Sequence, residues 1–185
     1  MKKILAMVIL IIITTSFSAT ITWRKYKEID TDVTIGSSDQ LIIEAGTVLR
    51  FAYGASLTVN GEIKSLGTSD APVIFTAMRG EGQWDGITID SQSGVNEFLY
   101  TNFSFMYAMF GSISILGSDV TFNNCRFTNN NSDVYGGAVG IISGNVNIYN
   151  SFFYYNGAQY GGAVYVNNDC INGKNNINID KCRFE

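Results

Sequence analysis

Glu97 and Asp119 come nearest, by type and spacing, to residues that could break a bond. Glycoside hydrolysis needs two carboxyl groups flanking the scissile bond, about 5 to 9.5 Å apart. Acids at equivalent places on successive units of a repeat would supply that pair. The internal alignment below puts Glu97 and Asp119 in one column, which continues as Asn145 and Asn176. Solvated turn chemistry just before a strand is the plainer account of both acids. A lyase would need several carboxylates around a calcium ion and an Arg or Lys base. Asp85, Asp90 and Glu97, around the Trp84 segment, are the nearest approach to such a cluster, and surface solubility explains them. Arg126 and Arg183 share a column that Phe152 interrupts, which reads as outward placement. The chain has no histidine, and its cysteines lack zinc spacing. No catalytic residue, metal ligand or cofactor is assigned.

The elements that must carry these residues follow from two phrases that copy each other. Phe127-Thr128-Asn129-Asn130 precedes Gly136-Gly137-Ala138-Val139, and Phe153-Tyr154-Tyr155-Asn156 precedes Gly161-Gly162-Ala163-Val164. A period of about 25 residues marks a stack of like structural units. Val120, Phe122, Cys125 and Phe127 match Val146, Ile148, Ser151 and Phe153, and then Ile177, Ile179, Cys182 and Phe184. Upstream, Phe98, Tyr100, Phe103 and Phe105 are aligned to the same four places. The segments 84–89, 110–115 and 136–141 align as well. Within a unit the apolar residues alternate, which is a strand period.

Three short strands and their turns fit one unit, and such a unit buries its inner face only by stacking. The expected fold is therefore all-β: a right-handed parallel β-helix of about 25–30 residues per coil, with the hand taken from the rule for parallel crossovers. It should occupy 32–185 as a single domain, after a lead-in or cap over 19–31. Phe105, Phe127, Phe153 and Phe184 should stack inside. Gly136, Gly137, Gly161 and Gly162 should form a corner that needs positive φ or close approach. Asn130 and Asn156 should end the aromatic strand at another corner, since asparagine tolerates the left-handed conformation and can hydrogen-bond to neighbouring backbone. Thr121, Asn147 and Asn178 should form an outward polar ladder, as should Asp119, Asn145 and Asn176. Upstream strand-like runs lie at 33–35, 41–43, 48–51, 57–59 and 73–75, with turn chemistry at 45–46, 60–61 and 67–70. Asn60-Gly61 reads as a tight corner within a coil.

Met1, Lys2 and Lys3 precede an apolar run at 4–13, and small residues end the segment at Ser16, Ser18 and Ala19. This is the pattern of a secretory signal over 1–18. The run is too short to cross a bilayer comfortably, so the mature chain is not expected to span a membrane. Loss of Lys2 and Lys3 moves the formal charge from −4 to −6. Beyond Arg24, Lys25 and Lys27 there is no basic cluster, which disfavours nucleic acid as a partner. Cys125 and Cys182 hold one place two units apart, beyond disulfide reach, and are expected to be small buried residues. Cys170, on a longer loop, is expected to be exposed and open to an intermolecular bond. The sequence stops at Cys182-Arg183-Phe184-Glu185, inside its own repeat phrase. The expectation is a fragment that associates through an open strand edge.

The Phe-x-x-Asn and Gly-Gly-Ala-(Ile/Val) phrases at 127–130, 136–139, 153–156 and 161–164 resemble the repeats of the chlamydial polymorphic outer membrane proteins. The resemblance covers mainly 98–185. More broadly, the chain is similar to the pectin-lyase-like superfamily of right-handed β-helices. The first likeness implies a passenger displayed at the cell surface or outer membrane, or released outside the cell, that acts in adhesion or surface structure. A host-cell or cell-surface protein or glycan is the partner class it implies. Tyr154, Tyr155, Tyr160 and Tyr165 are the candidate binding surface, since tyrosine is enriched at interfaces. The second likeness implies the alternative: a polysaccharide lyase or hydrolase whose active site lies outside this fragment. The pectic hydrolases of that superfamily use clustered aspartates near a histidine, and this chain has no histidine.

Overall fold

The computed structural model describes residues 18–79, 82–92, 94–167 and 175–185. All but Ser18 of the expected signal segment, and Cys170, lie outside these residues. The chain winds in coils that each place one strand in each of three faces. The first coil gives β1 (Thr20–Trp23), β2 (Tyr26–Ile29) and β3 (Val33–Ile35). The second gives β4 (Gln40–Glu44), β5 (Val48–Phe51) and β6 (Ser56–Val59). The third gives β7 (Glu62–Leu66), β8 (Val73–Ala77) and β9 (Gly86–Ile89).

The fourth coil adds a strand: β10 (Val95–Leu99), β11 (Thr101–Ser104), β12 (Tyr107–Phe110) and β13 (Ile113–Leu116). The fifth repeats this with β14 (Asp119–Asn123), β15 (Arg126–Thr128), β16 (Asn131–Tyr135) and β17 (Val139–Ser143). The sixth holds β18 (Asn145–Tyr149), β19 (Phe152–Tyr154) and β20 (Val164–Val166). Last come β21 (Asn176–Asp180) and β22 (Arg183–Phe184).

Every strand pairs in parallel with its counterpart one coil away. The first face is a seven-stranded sheet from β1 to β21 and the second a seven-stranded sheet from β2 to β22. The third is a six-stranded sheet from β3 to β20, and β12 and β16 pair as a short fourth. This is a parallel β-solenoid, consistent with a right-handed parallel β-helix. The polar corner at 60–61 joins β6 to β7 in different sheets, so it is a coil corner and not a hairpin.

Two boundaries differ from expectation. Residues 19–31 are not a mere lead-in, because β1 and β2 already pair in register with β4 and β5. Lys27 takes the inward place opposite Leu49 in this coil, with its ammonium 5.6 Å from the Trp23 ring, so the first coil closes the core with a polar residue. Coil length is also less uniform than about 25–30. Thr20 faces Gln40 and Gln40 faces Glu62, coils of 20 and 22 residues, whereas Lys64 faces Glu97, a coil of 33.

The core is a set of columns along the axis. Phe75, Phe103, Phe127, Phe153 and Phe184 stack with centroids 5.2, 5.1, 4.5 and 4.8 Å apart. Each fully buried ring contributes about 2–3 kcal/mol. Phe98 and Phe122 form a second stack edge-on to the first. Phe103, not Phe105, holds the fourth-coil place, since it pairs with Phe127. Phe105 is exposed, in a left-handed corner at φ 58°. Phe98 likewise pairs with Phe122 and not Val120, a correction of two residues. Downstream, the aligned columns hold as read.

Candidate binding surface

Asn130 and Asn156 position the second corner of the fifth and sixth coils by hydrogen-bonding neighbouring backbone, as expected, but not by taking the left-handed conformation themselves. Asn129 and Tyr155 adopt the left-handed conformation, with φ of 57° and 51°. The neighbours Asn130 and Asn156 turn inward instead. Asn130 Nδ2 donates to Phe103 O and to Asn156 Oδ1, while Asn130 Oδ1 accepts from Met106 N. Asn156 Nδ2 donates to Phe127 O, and Asn156 Oδ1 also accepts from Asn130 N. This amide ladder fixes where the chain leaves the second sheet, and so where the outer loops project. The glycine corner behaves as expected: φ is 61° at Gly136 and 63° at Gly161. A methyl group on Gly137 would fall 2.0 Å from Gly162 O.

The outer side of the first sheet is polar and acidic. Glu44, Glu62, Glu97, Asp119 and Asp180 point outward there with Lys64. Asn145 Nδ2 donates to Asp119 Oδ1 at 2.7 Å, and Asn178 Nδ2 donates to the Tyr149 hydroxyl at 3.1 Å. The Thr121, Asn147, Asn178 column is in register. The Glu97 and Asp119 column is not. Glu97 pairs with Thr121 and Asp119 with Val95, so the two acids stand two residues out of step. Asp85 lies elsewhere. Its carboxyl is raised above the usual range by desolvation first and by Asp32 second. Asp32 in turn accepts from the backbone and hydroxyl of Ser56. Among the described residues, no group of three or more His, Cys, Asp and Glu is placed to hold a metal ion.

The outer side of the second sheet is different. Its register sets Asn102, Arg126, Phe152 and Arg183 in one column, and Thr128 and Tyr154 in the next. Phe152 does not merely interrupt the arginines: Arg126 Cζ lies 4.8 Å and Arg183 Cζ 5.8 Å from its ring centroid. Tyr154 packs on Phe152 and edge-on to Tyr155. Near the other end, Arg50 and Phe105 line a shallow groove of about 370 Å³.

The four tyrosines named from sequence therefore divide between two places. Tyr154 and Tyr155 belong to the second sheet's outer side. Tyr160 and Tyr165 belong to a ridge beside the third sheet, where both rings stack on Tyr135, at 5.6 and 4.3 Å. Tyr135 stacks in turn on Phe110. Met109 and Tyr107 extend this ridge, and the Tyr107 hydroxyl bonds to Asp133. Sequence reasoning missed Phe110, Tyr135 and Met109. The usable signal was an aromatic before the corner glycine, recurring as Phe110-Gly111, Tyr135-Gly136 and Tyr160-Gly161.

Cys125 is buried and free. Its thiol donates to Phe98 O at 3.2 Å, and burial pushes it up to about 12. Cys182 is free and only half-buried, in the last coil. No helix among the described residues is long and apolar enough to cross a membrane. No protein family, curated protein or solved structure matches this chain.

Proposed function

We propose that this chain is an exported, non-catalytic β-helix that acts in adhesion or cell-surface structure through the aromatic ridge of its fourth to sixth coils. The observation that carries this reading is the exposure of that ridge. Met109 and Phe110 on the fourth coil are 59% and 49% exposed and Tyr160 on the sixth is 52% exposed, with Tyr135 of the fifth coil stacked between Phe110 and Tyr160 and Tyr165 beside them. Contiguous exposed apolar surface marks an interaction site, and tyrosine suits an interface because one end is apolar and the other polar. The stacked coils below hold the ridge rigid, so little conformational freedom is lost on binding.

The test is adherence of the full chain to intact cells, beside a variant carrying Phe110→Ser and Tyr160→Ser. Loss of adherence with unchanged thermal unfolding supports the ridge. Adherence at the parental level removes it. Release of new sugar ends from polysaccharides by the purified chain would replace the non-catalytic reading with a carbohydrate-active one.

A further inference from the structure

The outer side of the second sheet holds a cation–aromatic column distinct from the ridge. Arg126 is exposed and forms no ion pair among the described residues. Arg183 is 74% exposed at its side chain and is paired with Glu185. Both guanidiniums lie against Phe152, flanked by Tyr154 and the exposed Tyr155. On a chain of formal charge −4, this is a local positive feature.

We infer that this column docks an acidic, proline-rich peptide segment in the polyproline II conformation, with carboxylates every third residue. Spacing is the first argument. Arg126 and Arg183 stand two coils apart, about 9.6 Å at the ordinary strand spacing of ~4.8 Å. A polyproline II helix returns to the same side every three residues, about 9.3 Å at ~3.1 Å per residue. An extended strand repeats its side at about 6.6–6.8 Å and misses the second arginine. Chemistry is the second. Guanidinium forks match carboxylates in two-pronged hydrogen bonds, and proline rings dock against aromatic side chains, as in known polyproline readers. Charge on the neighbouring side is the third. Glu62, Glu97 and Asp119 on the first sheet repel such a segment, so the neighbouring side disfavours it. The Arg183–Glu185 pair is exposed and therefore weak, and an incoming carboxylate takes the place of Glu185.

The test uses the full chain and two synthetic peptides of equal composition, read by fluorescence anisotropy. One carries aspartate at every third position with proline between, and the other carries the same number of aspartates at alternate positions followed by the remaining prolines. The first should bind roughly tenfold more tightly. Arg126→Gln and Phe152→Ala should each weaken it by roughly tenfold, as truncated anchors do. Glu185→Gln should tighten it, and Arg50→Gln, on the same sheet but distant, should leave it unchanged. Arg126→Lys keeps the charge but loses the fork, and should still weaken binding. Far-UV circular dichroism checks that each variant is folded. Equal binding of the two spacings, parental affinity in Arg126→Gln, or binding of an acidic oligosaccharide with none of either peptide overturns the proposal. Ridge variants at Phe110 and Tyr160 should not alter peptide affinity, so this inference and the adhesion reading fail separately.

Discussion

Asn130 commits its side-chain amide to groups on the coils before and after its own: Phe103 O, Met106 N and Asn156 Oδ1. Asn130→Ala would leave these groups unsatisfied in a buried site, at a cost of about 3 kcal/mol. Asn156→Ala should cost less, because that residue is only half-buried. Urea unfolding of both variants checks the order. Cys125 makes a different prediction. Its folded value of about 12 exceeds the unfolded value of 9.0, so the native state keeps its proton while the unfolded state loses it. That contribution is complete below about pH 9 and is lost progressively as pH rises toward 12. Ser151 fills the equivalent place one coil on and donates to Tyr149 O, so Cys125→Ser should fold. Denaturant titrations from pH 8 to pH 12 should show a shallower alkaline decline in that variant than in the parent.

At the scale of elements, the aromatic column ties β11, β15, β19 and β22 together. Phe127 has a ring on either side, at 5.1 and 4.5 Å, and is fully buried. Phe127→Ala removes those contacts and opens a cavity, for a loss of about 3–5 kcal/mol. Phe184 stacks on one ring only and is 50% exposed, so Phe184→Ala should cost about 1–2 kcal/mol. Thermal unfolding of the pair measures the difference, and equal losses would contradict the column.

Across the whole molecule, each coil contacts only its neighbours, so stability is a sum of coil terms and interface terms. The middle coils gain two interfaces each. The final strands gain one, and the inward residues of β20, β21 and β22 are half-buried or exposed. Amide hydrogen exchange should therefore be slowest in β8, β11 and β15 and fastest in β21 and β22. Uniform protection from end to end would contradict nearest-neighbour stacking.

From Val120 onward the repeat was legible residue by residue, because Phe-x-x-Asn and Gly-Gly-Ala-Val each have a physical job at a fixed place in the coil. The strand period, the interior column at Phe127, Phe153 and Phe184, and the glycine corner all followed from side-chain alternation and backbone geometry. The register of the fourth coil did not. A shift of two residues preserves alternation, so Phe103 and Phe105 fit the pattern equally well on paper. The left-handed corners decided between them: Tyr100 matches Asn124 and Asn150, and Phe105 matches Asn129 and Tyr155. Aromatic residues rarely signal that conformation, so the corners at Tyr100 and Phe105 were invisible in sequence. With that register came the fate of Glu97 and Asp119, and the division of four tyrosines between two surfaces. Sequence alone determined what repeats in this protein. Only the tertiary structure decided which side chains share a face, because that depends on how many residues each corner consumes.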